Sequence, residues 1–406
     1  MNYIMNKDSI LLLTKDAFCK AYLPCYGNKF WQGKTPNLDD LVSKGTKFNN
    51  FITAAPSSNM SYLSMFTMKF PYTLPIKDYR PLPDTFKEDT FYDLTKQYGF
   101  ENHILWDEAW GRIDLKFSRC YGSDTIFHNM PNFRQPVGCK YPHGKLSYDE
   151  NKVEEGLAEL RLELQRITSS GKKVFLWCHL PHVLKGCISY GFDIDVYDRY
   201  LGVFREFFDD ANIFISADHG NMNGLKGKLC YGFDVYEPSI NIPLITPRLG
   251  GLKECDIPVS NTDLHTLILK RIIPQKEYIY SDSAYYAQPN RKLAIVYGKY
   301  RYIYNKHTKS EELYDIEWDP NQNFNLISDN FHDVDRHTDS PSIDYYFYPE
   351  WGNLEEIRAK LRQNKDEIWR TETKMQKFMG DIKMWLSKYP KVYSIVTKIV
   401  HKTILK

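Results

Sequence analysis

Residues 213–221 read IFISADHGN, a short apolar run that ends in Asp218, His219 and Gly220. An apolar run of this length is typical of a buried strand in a parallel sheet. A carboxylate and an imidazole at consecutive positions after such a strand can both turn toward one divalent cation, and the glycine permits a tight exit. A turn in which Asp218 is only a capping residue produces the same letters, so both interpretations stay open.

Short apolar runs at 10–14 and 174–178 predict two further buried strands, and helical spacing predicts helices from Thr35 and over 195–208. Strands that alternate with helices indicate an α/β fold with a mostly parallel central sheet flanked by helices. Parallel strands bring their carboxyl ends to one edge, so Asp16 could reach the same cation as Asp218. Helix capping is the alternative role for Asp16.

Ser57 and Ser58 precede the apolar residues of another predicted short helix. A hydroxyl at a helix start lies at the positive end of the helix dipole, and a bound cation would lower its pKa toward that of an alkoxide nucleophile. Serine pairs are more often ordinary helix caps. Ser58 is therefore a candidate nucleophile only in combination with the other residues of the predicted site.

Four regions follow from the pattern of the chain. Residues 1–290 are predicted to form a catalytic α/β domain and 291–328 a small antiparallel sheet, followed by a polar linker at 329–352. Residues 353–406 are predicted to be a helical basic tail. Its last segment, 391–406, places an apolar stripe beside four lysines, which suits peripheral contact with an anionic membrane surface or packing on the protein body.

Composition narrows the functional classes. The 406 residues carry 53 basic and 51 acidic side chains, a net charge of +2, which argues against broad nucleic-acid binding. The eight cysteines form no paired motif, and residues 1–9 lack the apolar core of a secretory signal. We therefore expect reduced thiols and a cytoplasmic protein, peripheral to the inner membrane face if its tail binds lipid.

Ordered blocks between residues 8 and 327 resemble the alkaline phosphatase and sulfatase superfamily. The blocks include CYGN at 25–28, TPNLD at 35–39, AAP at 54–56, HLPH at 179–182, ISADHG at 215–220, YEPS at 236–239 and ELYD at 312–315. The resemblance implies a Ser58 nucleophile and one divalent ion (zinc, manganese or calcium) held by Asp16, Asp218, His219 and Ser58. It also implies that His182 protonates the leaving oxygen.

Departures from the sulfatase pattern favour phosphoester chemistry. The maturation motif that yields formylglycine has Pro or Ala and then Arg where this chain has Met60 and Tyr62. Lys15 replaces one of two adjacent aspartates at the first metal position. Asp107 falls where sulfatases have a sulfate-binding lysine, and it could instead receive an amine such as ethanolamine. Lys226 and Lys228 could offset charge on a transferred group, or lie in a solvated loop.

The sequence thus predicts a metal-dependent phosphoester hydrolase or phosphotransferase with a serine nucleophile. Its substrate would be a small-molecule, glycan or lipid-linked ester, for example in polysaccharide biosynthesis. Two alternatives stay open at this point: a sulfatase of a sulfated glycan, which needs formylglycine at Ser58, and a catalytically silent binding module that kept the fold.

Overall fold

The computed structural model describes residues 6–74, 82, 86–106, 120–122, 124–129, 150–181, 193–228, 231–283, 291–328 and 353–370. Within these ranges no helix has the length and apolar character needed to cross a membrane. The predicted linker at 329–352 and the lysine-rich segment 391–406 lie outside the described residues, as do His182 and Asp107.

Eight strands form the central sheet, in the order β5-β4-β6-β1-β7-β8-β2-β9. Neighbouring strands run parallel, except that β8 is antiparallel to both β7 and β2. The strands are β1 (Ile10–Lys15), β2 (Thr46–Phe48), β4 (Glu101–Trp106), β5 (Ile126–Asn129), β6 (Val174–Leu180), β7 (Ile213–Ala217), β8 (Leu244–Thr246) and β9 (Glu254–Cys255); a separate short pair joins β3 (Phe51–Ile52) to β10 (Val259–Ser260). Every residue of β1, β6 and β7 is buried, which explains why these strands read as mostly apolar runs.

Helices flank the sheet: α1 (Pro36–Lys44), α2 (Ser58–Thr67), α3 (Phe91–Gln97), α4 (Glu150–Thr168), α5 (Ile194–Arg205) and the short α6 (Glu237–Ile240). Pro36 starts α1 at the position where a missing N–H costs nothing. Asp198 of α5 accepts the next two N–H groups, from Asn37 at 3.2 Å and Leu38 at 2.8 Å. This carboxylate fixes α1 against α5.

A second, antiparallel sheet joins β11 (Ile279–Asp282), β12 (Lys292–Tyr297), β13 (Tyr300–Asn305) and β14 (Glu311–Asp315). The C-terminal helix α7 (Leu354–Arg370) packs Leu361 and Ile368 onto one face of it. The predicted fold class is confirmed, including the small antiparallel sheet. The first strand of that sheet lies before residue 291, where the sequence places the domain boundary, and the boundaries themselves stay a prediction.

Candidate active site

Two neighbouring strands deliver the acidic residues of the site. Lys15 of β1 pairs with Ala217 of β7, so the residues that follow, Asp16 and Asp218, leave the sheet side by side. His219 comes next along the chain. All three side chains are buried, and one potential ligand atom from each lies within 4.8 Å of the other two. The convergence follows from strand register, as the sequence pattern indicates.

Helix α2 brings the fourth side chain. Its first residue is Ser58, whose Oγ lies 3.0 Å from His219 Nε2. This position is at the positive end of the helix, which favours a developing negative charge on the hydroxyl oxygen. The structure therefore brings together Asp16, Ser58, Asp218 and His219.

The imidazole of His219 is oriented for a cation. Its Nδ1 lies 2.8 Å from the Gly220 carbonyl oxygen, so Nδ1 carries the proton and donates, and Nε2 presents a lone pair. That lone pair faces Asp218 Oδ2 at 3.5 Å and Asp16 Oδ1 at 3.8 Å. Two carboxylates and a lone pair in a buried space repel one another unless a cation sits among them. A divalent metal fits this donor set, and the backbone carbonyl is the usual partner of a ligating histidine.

Asp218 is held on both oxygens. Its Oδ1 accepts N–H groups from His219 at 2.7 Å and from Ala17 at 3.1 Å, with Ala17 in the left-handed region at φ 49°. Its Oδ2 accepts the Tyr62 hydroxyl at 3.1 Å. Burial, followed by the negative charge of Asp218, raises the pKa of Tyr62 well above its usual value, so Tyr62 is a permanent donor.

A chain of hydrogen bonds supports Tyr62 from the core. His179 Nε2 lies 2.7 Å from the Tyr62 oxygen, and His179 Nδ1 lies 2.9 Å from Thr14 Oγ1, which accepts from Trp177 Nε1 at 2.9 Å. Burial lowers the pKa of His179 to about 4. A neutral His179 that donates from Nε2 and accepts at Nδ1 gives one consistent direction, from Trp177 through Tyr62 to Asp218.

Lys15 does not add a free positive charge to the site. Its Nζ forms a buried ion pair with Asp193 Oδ2 at 3.1 Å, with both side chains no more than 2% exposed. The ion pair neutralises the positive charge of Lys15, at a position where sulfatases have an aspartate. Asp193 is 178 residues away in sequence and had no local signal to mark it.

The loop after His219 passes close to α6. Gly220 N donates to Ser239 O at 2.9 Å and Asn221 N to Pro238 O at 3.0 Å. A Cβ on Gly220 would lie 1.9 Å from the Pro238 carbonyl oxygen, so only glycine fits. Cys19 Sγ accepts the Asn221 N–H at 3.0 Å, and burial raises the pKa of its thiol to about 11.

The two lysines that follow this loop both have partners. Lys226 Nζ donates to the Gln322 carbonyl oxygen at 2.8 Å, and Lys228 Nζ pairs with Asp234 Oδ1 at 2.7 Å. Their predicted contact with substrate stays a prediction. The same holds for His182 and Asp107, which lie outside the described residues. No pattern in the sequence marks a role for His179, Cys19 or Thr14, and Tyr62 stands out there only as a departure from a motif.

Comparison with known proteins identifies the family. The sulfatase family model matches residues 8–256, and the chain belongs to that family. The uncharacterized sulfatase YidJ of Escherichia coli K12 is 26% identical over 195 residues, which is 41% of this chain and 37% of that relative's length. The resemblance inferred from the sequence blocks is confirmed.

Solved structures share the fold. BT1596, a 2-O GAG sulfatase, superimposes with a TM-score of 0.63 at 15% identity, covering 91% of this chain and 94% of that protein. The phosphonate monoester hydrolase of Agrobacterium radiobacter gives a TM-score of 0.54 at 13% identity, covering 87% and 95%. At these identities the likeness shows common architecture, and it spans both sulfur and phosphorus chemistry.

Proposed function

We propose that the chain is a metal-dependent phosphoester hydrolase or phosphotransferase with Ser58 as nucleophile. The observation that carries this proposal is the 3.0 Å approach of Ser58 Oγ to His219 Nε2, at a helix start beside two buried carboxylates. Solved structures that share this fold include a sulfatase and a phosphonate monoester hydrolase, so the choice between sulfur and phosphorus chemistry rests on the residues around Ser58.

Asp16, Asp218, His219 and Ser58 would hold one divalent ion, for which zinc, manganese and calcium are the candidates. Bound there, it would supply Lewis acidity, lowering the pKa of the serine hydroxyl and neutralising charge on the transferred group. Tyr62 keeps Asp218 Oδ2 oriented through its hydroxyl, and the Gly220 carbonyl keeps the imidazole of His219 in the required tautomer.

Ser58 Oγ, after loss of its proton to solvent, would form the bond to phosphorus as the bond to the leaving ester oxygen breaks. We assign protonation of that oxygen to His182. Water or an acceptor hydroxyl would then take the group from Ser58. Lys226 and Lys228 are proposed to balance its charge, and Asp107 to receive an amine on the substrate.

Tyr62 supports a serine that stays unmodified. It stands where the formylglycine maturation pattern has arginine, and its buried hydroxyl is committed to Asp218 and His179. The alternative, a sulfatase with formylglycine at position 58, is favoured by the likeness to BT1596. The proposed substrate is a glycan or lipid-linked ester, and membrane contact through the tail stays part of the proposal.

Ester hydrolysis by matched serine variants tests the proposal. We expect hydrolysis of p-nitrophenyl phosphate, or of its phosphodiester, to fall on the order of 10³-fold or more in Ser58→Ala. Ser57→Ala is the matched control, since Ser57 makes no capping hydrogen bond, and it should keep most activity. Peptide mass analysis should find unmodified serine at position 58.

Other outcomes separate the rival functions. Formylglycine at position 58 together with hydrolysis of p-nitrophenyl sulfate alone would establish a sulfatase. Wild-type protein that hydrolyses none of the esters and holds no stoichiometric metal would establish a silent binding module.

A further inference from the structure

The end of β7 opposite to the candidate active site borders a cavity. Asp218 and His219 follow the carboxyl end of this strand, whereas Ile213 at its amino end lines a cavity of about 510 Å³. Gly45 and Thr246 form other parts of the wall, and two arginines, Arg248 and Arg271, face it from separate loops. The volume lies within the range of small-molecule pockets.

Arg271 is placed by unusual backbone. A π-helix (Thr266–Lys270) ends directly before it, and Arg271 itself has φ 57°, in the left-handed region. Its guanidinium lies 4.6 Å from the centre of the Phe214 ring, and its Nη2 donates to Asn212 Oδ1 at 2.7 Å. Short π-helices and left-handed non-glycine residues cost energy and are concentrated at functional sites.

Arg248 approaches the same cavity from the turn after β8. Its Nε and Nη2 donate to the carbonyl oxygens of Lys44 and Ser43, at 3.1 and 2.8 Å, and so cap the end of α1. In both arginines the Nη1 atom is buried and has no hydrogen-bond acceptor among the residues that the structure describes. A buried N–H group without an acceptor is unfavourable, so the described protein groups leave neither guanidinium fully satisfied.

The acidic groups at the cavity are already engaged. Asp210 pairs with Arg205 at 2.7 Å and with Lys44 at 3.0 Å, and Asp209 Oδ1 accepts the Ala211 N–H at 2.9 Å. Neither Arg248 nor Arg271 forms an ion pair with a carboxylate in the described part of the chain. Burial accordingly lowers the pKa of Arg271, a guanidinium that lacks a counter-charge.

We propose that this cavity binds a small molecule carrying a tetrahedral oxyanion, a phosphate or sulfate group, with the anion between Arg248 and Arg271. Two guanidinium groups that form no ion pair with a carboxylate of the described residues match such an anion in charge, and their planar N–H pattern suits its oxygens. The cavity exceeds the size of an inorganic ion, so the group belongs to a phosphate or sulfate ester. The proposal is independent of the chemistry at Ser58.

Calorimetric titration of the full chain with inorganic phosphate, sulfate and glycerol phosphate tests whether the cavity binds an anion. Chelator is included to suppress binding at the metal centre. Glycerol phosphate should bind more tightly than inorganic phosphate, and Arg248→Gln and Arg271→Gln should each weaken it about tenfold. Arg161→Gln, which removes a surface partner of Glu206, is the matched control and should change nothing.

Asp218→Asn distinguishes the cavity from the candidate metal centre, because it should leave the affinity of the cavity for glycerol phosphate unchanged. The proposal would be overturned if glycerol phosphate bound equally well after Arg248→Gln and after Arg271→Gln. It would also be overturned if only Asp218→Asn abolished binding. If the arginine variants do not fold, crystals of unaltered protein soaked in selenate should show anomalous density between the two guanidinium groups. A cavity without that density would equally overturn it.

Discussion

The hydroxyl of Tyr62 joins Asp218, a proposed metal ligand, to the buried core. It bonds Asp218 at 3.1 Å and His179 at 2.7 Å, and none of the three side chains reaches solvent. Tyr62→Phe should lower the free energy of unfolding by about 1–3 kcal/mol, because both buried partners lose a hydrogen bond. Urea unfolding measures this.

Metal affinity gives a second measurement for Tyr62→Phe. A ligand that loses its supporting hydrogen bond binds metal about 10–100-fold more weakly. Tyr98→Phe is the control, since Tyr98 is 46% exposed, and it should match wild type in both measurements. Unchanged stability and metal affinity in Tyr62→Phe would show that the hydrogen bonds of Tyr62 do not support Asp218.

Gly220 follows His219 in a loop whose backbone lies close to Pro238, and a substitution tests this close approach. Alanine would place a methyl group 1.9 Å from the Pro238 carbonyl oxygen, and backbone on either side cannot move aside without shifting His219. Gly220→Ala should therefore abolish metal binding and ester hydrolysis. Metal content after dialysis reports the first, and p-nitrophenyl phosphate hydrolysis the second.

A second glycine separates crowding from backbone strain. Gly171 has φ 66° and open space around its Cβ position, so Gly171→Ala should cost only about 1–2 kcal/mol of stability and spare the site. A Gly220→Ala protein that keeps its metal would contradict the close approach.

At the scale of elements, local pattern was enough for much of the architecture. The runs at 10–14, 174–178 and 213–216 became β1, β6 and β7, and strand register then placed Asp16 beside Asp218. The supporting partners had no such signal. Tyr62 and His179 are 117 residues apart, and they meet only because α2 packs over the end of β6. The hydrophobic periodicity of a sequence carries no information about such long-range side-chain contacts.

Helix α7 is attached to the small sheet through Glu311. This carboxylate accepts from Arg358 Nη2 at 3.0 Å and from Arg362 Nε at 2.6 Å. Burial raises the pKa of Glu311, but the bonds from Arg362, Tyr302 and Arg358 outweigh it and hold the pKa at about 2. The attachment therefore depends on an ionised glutamate.

Glu311→Gln should destabilise the protein by about 1 kcal/mol at neutral pH. Because the folded-state pKa lies below the usual 4.5, the stabilisation is full above that value and is lost as the pH falls toward 2. The difference between wild type and variant in urea unfolding should shrink across this window. Glu355→Gln is the control, at an 82% exposed position of helix α7, and its stability should not differ from that of wild type in this way. A stability difference for Glu311→Gln that stays constant with pH would exclude the ion pair as its cause.

For the whole molecule, the two ends of β7 differ in charge. The carboxyl end gathers Asp16 and Asp218, the residues proposed to hold a cation, and the amino end places Arg248 and Arg271 at the cavity proposed to bind an anion. Each proposed ligand would balance charge of the opposite sign at its own end of the strand. Stability of the entire fold should accordingly depend on what is bound.

Metal removal tests this dependence at the carboxyl end. A cation present at 100 times its dissociation constant stabilises the native state by about 2.7 kcal/mol, so chelation should lower the free energy of unfolding by that amount. Asp218→Asn should abolish the difference between metal-loaded and chelated protein, because it removes a ligand and one of the two repelling charges. Asp124→Asn, an exposed carboxylate paired with Lys96, should preserve it. Identical unfolding with and without metal in wild type would mean that Asp16, Asp218 and His219 tolerate one another without a cation, and the proposed chemistry at Ser58 would lose its basis.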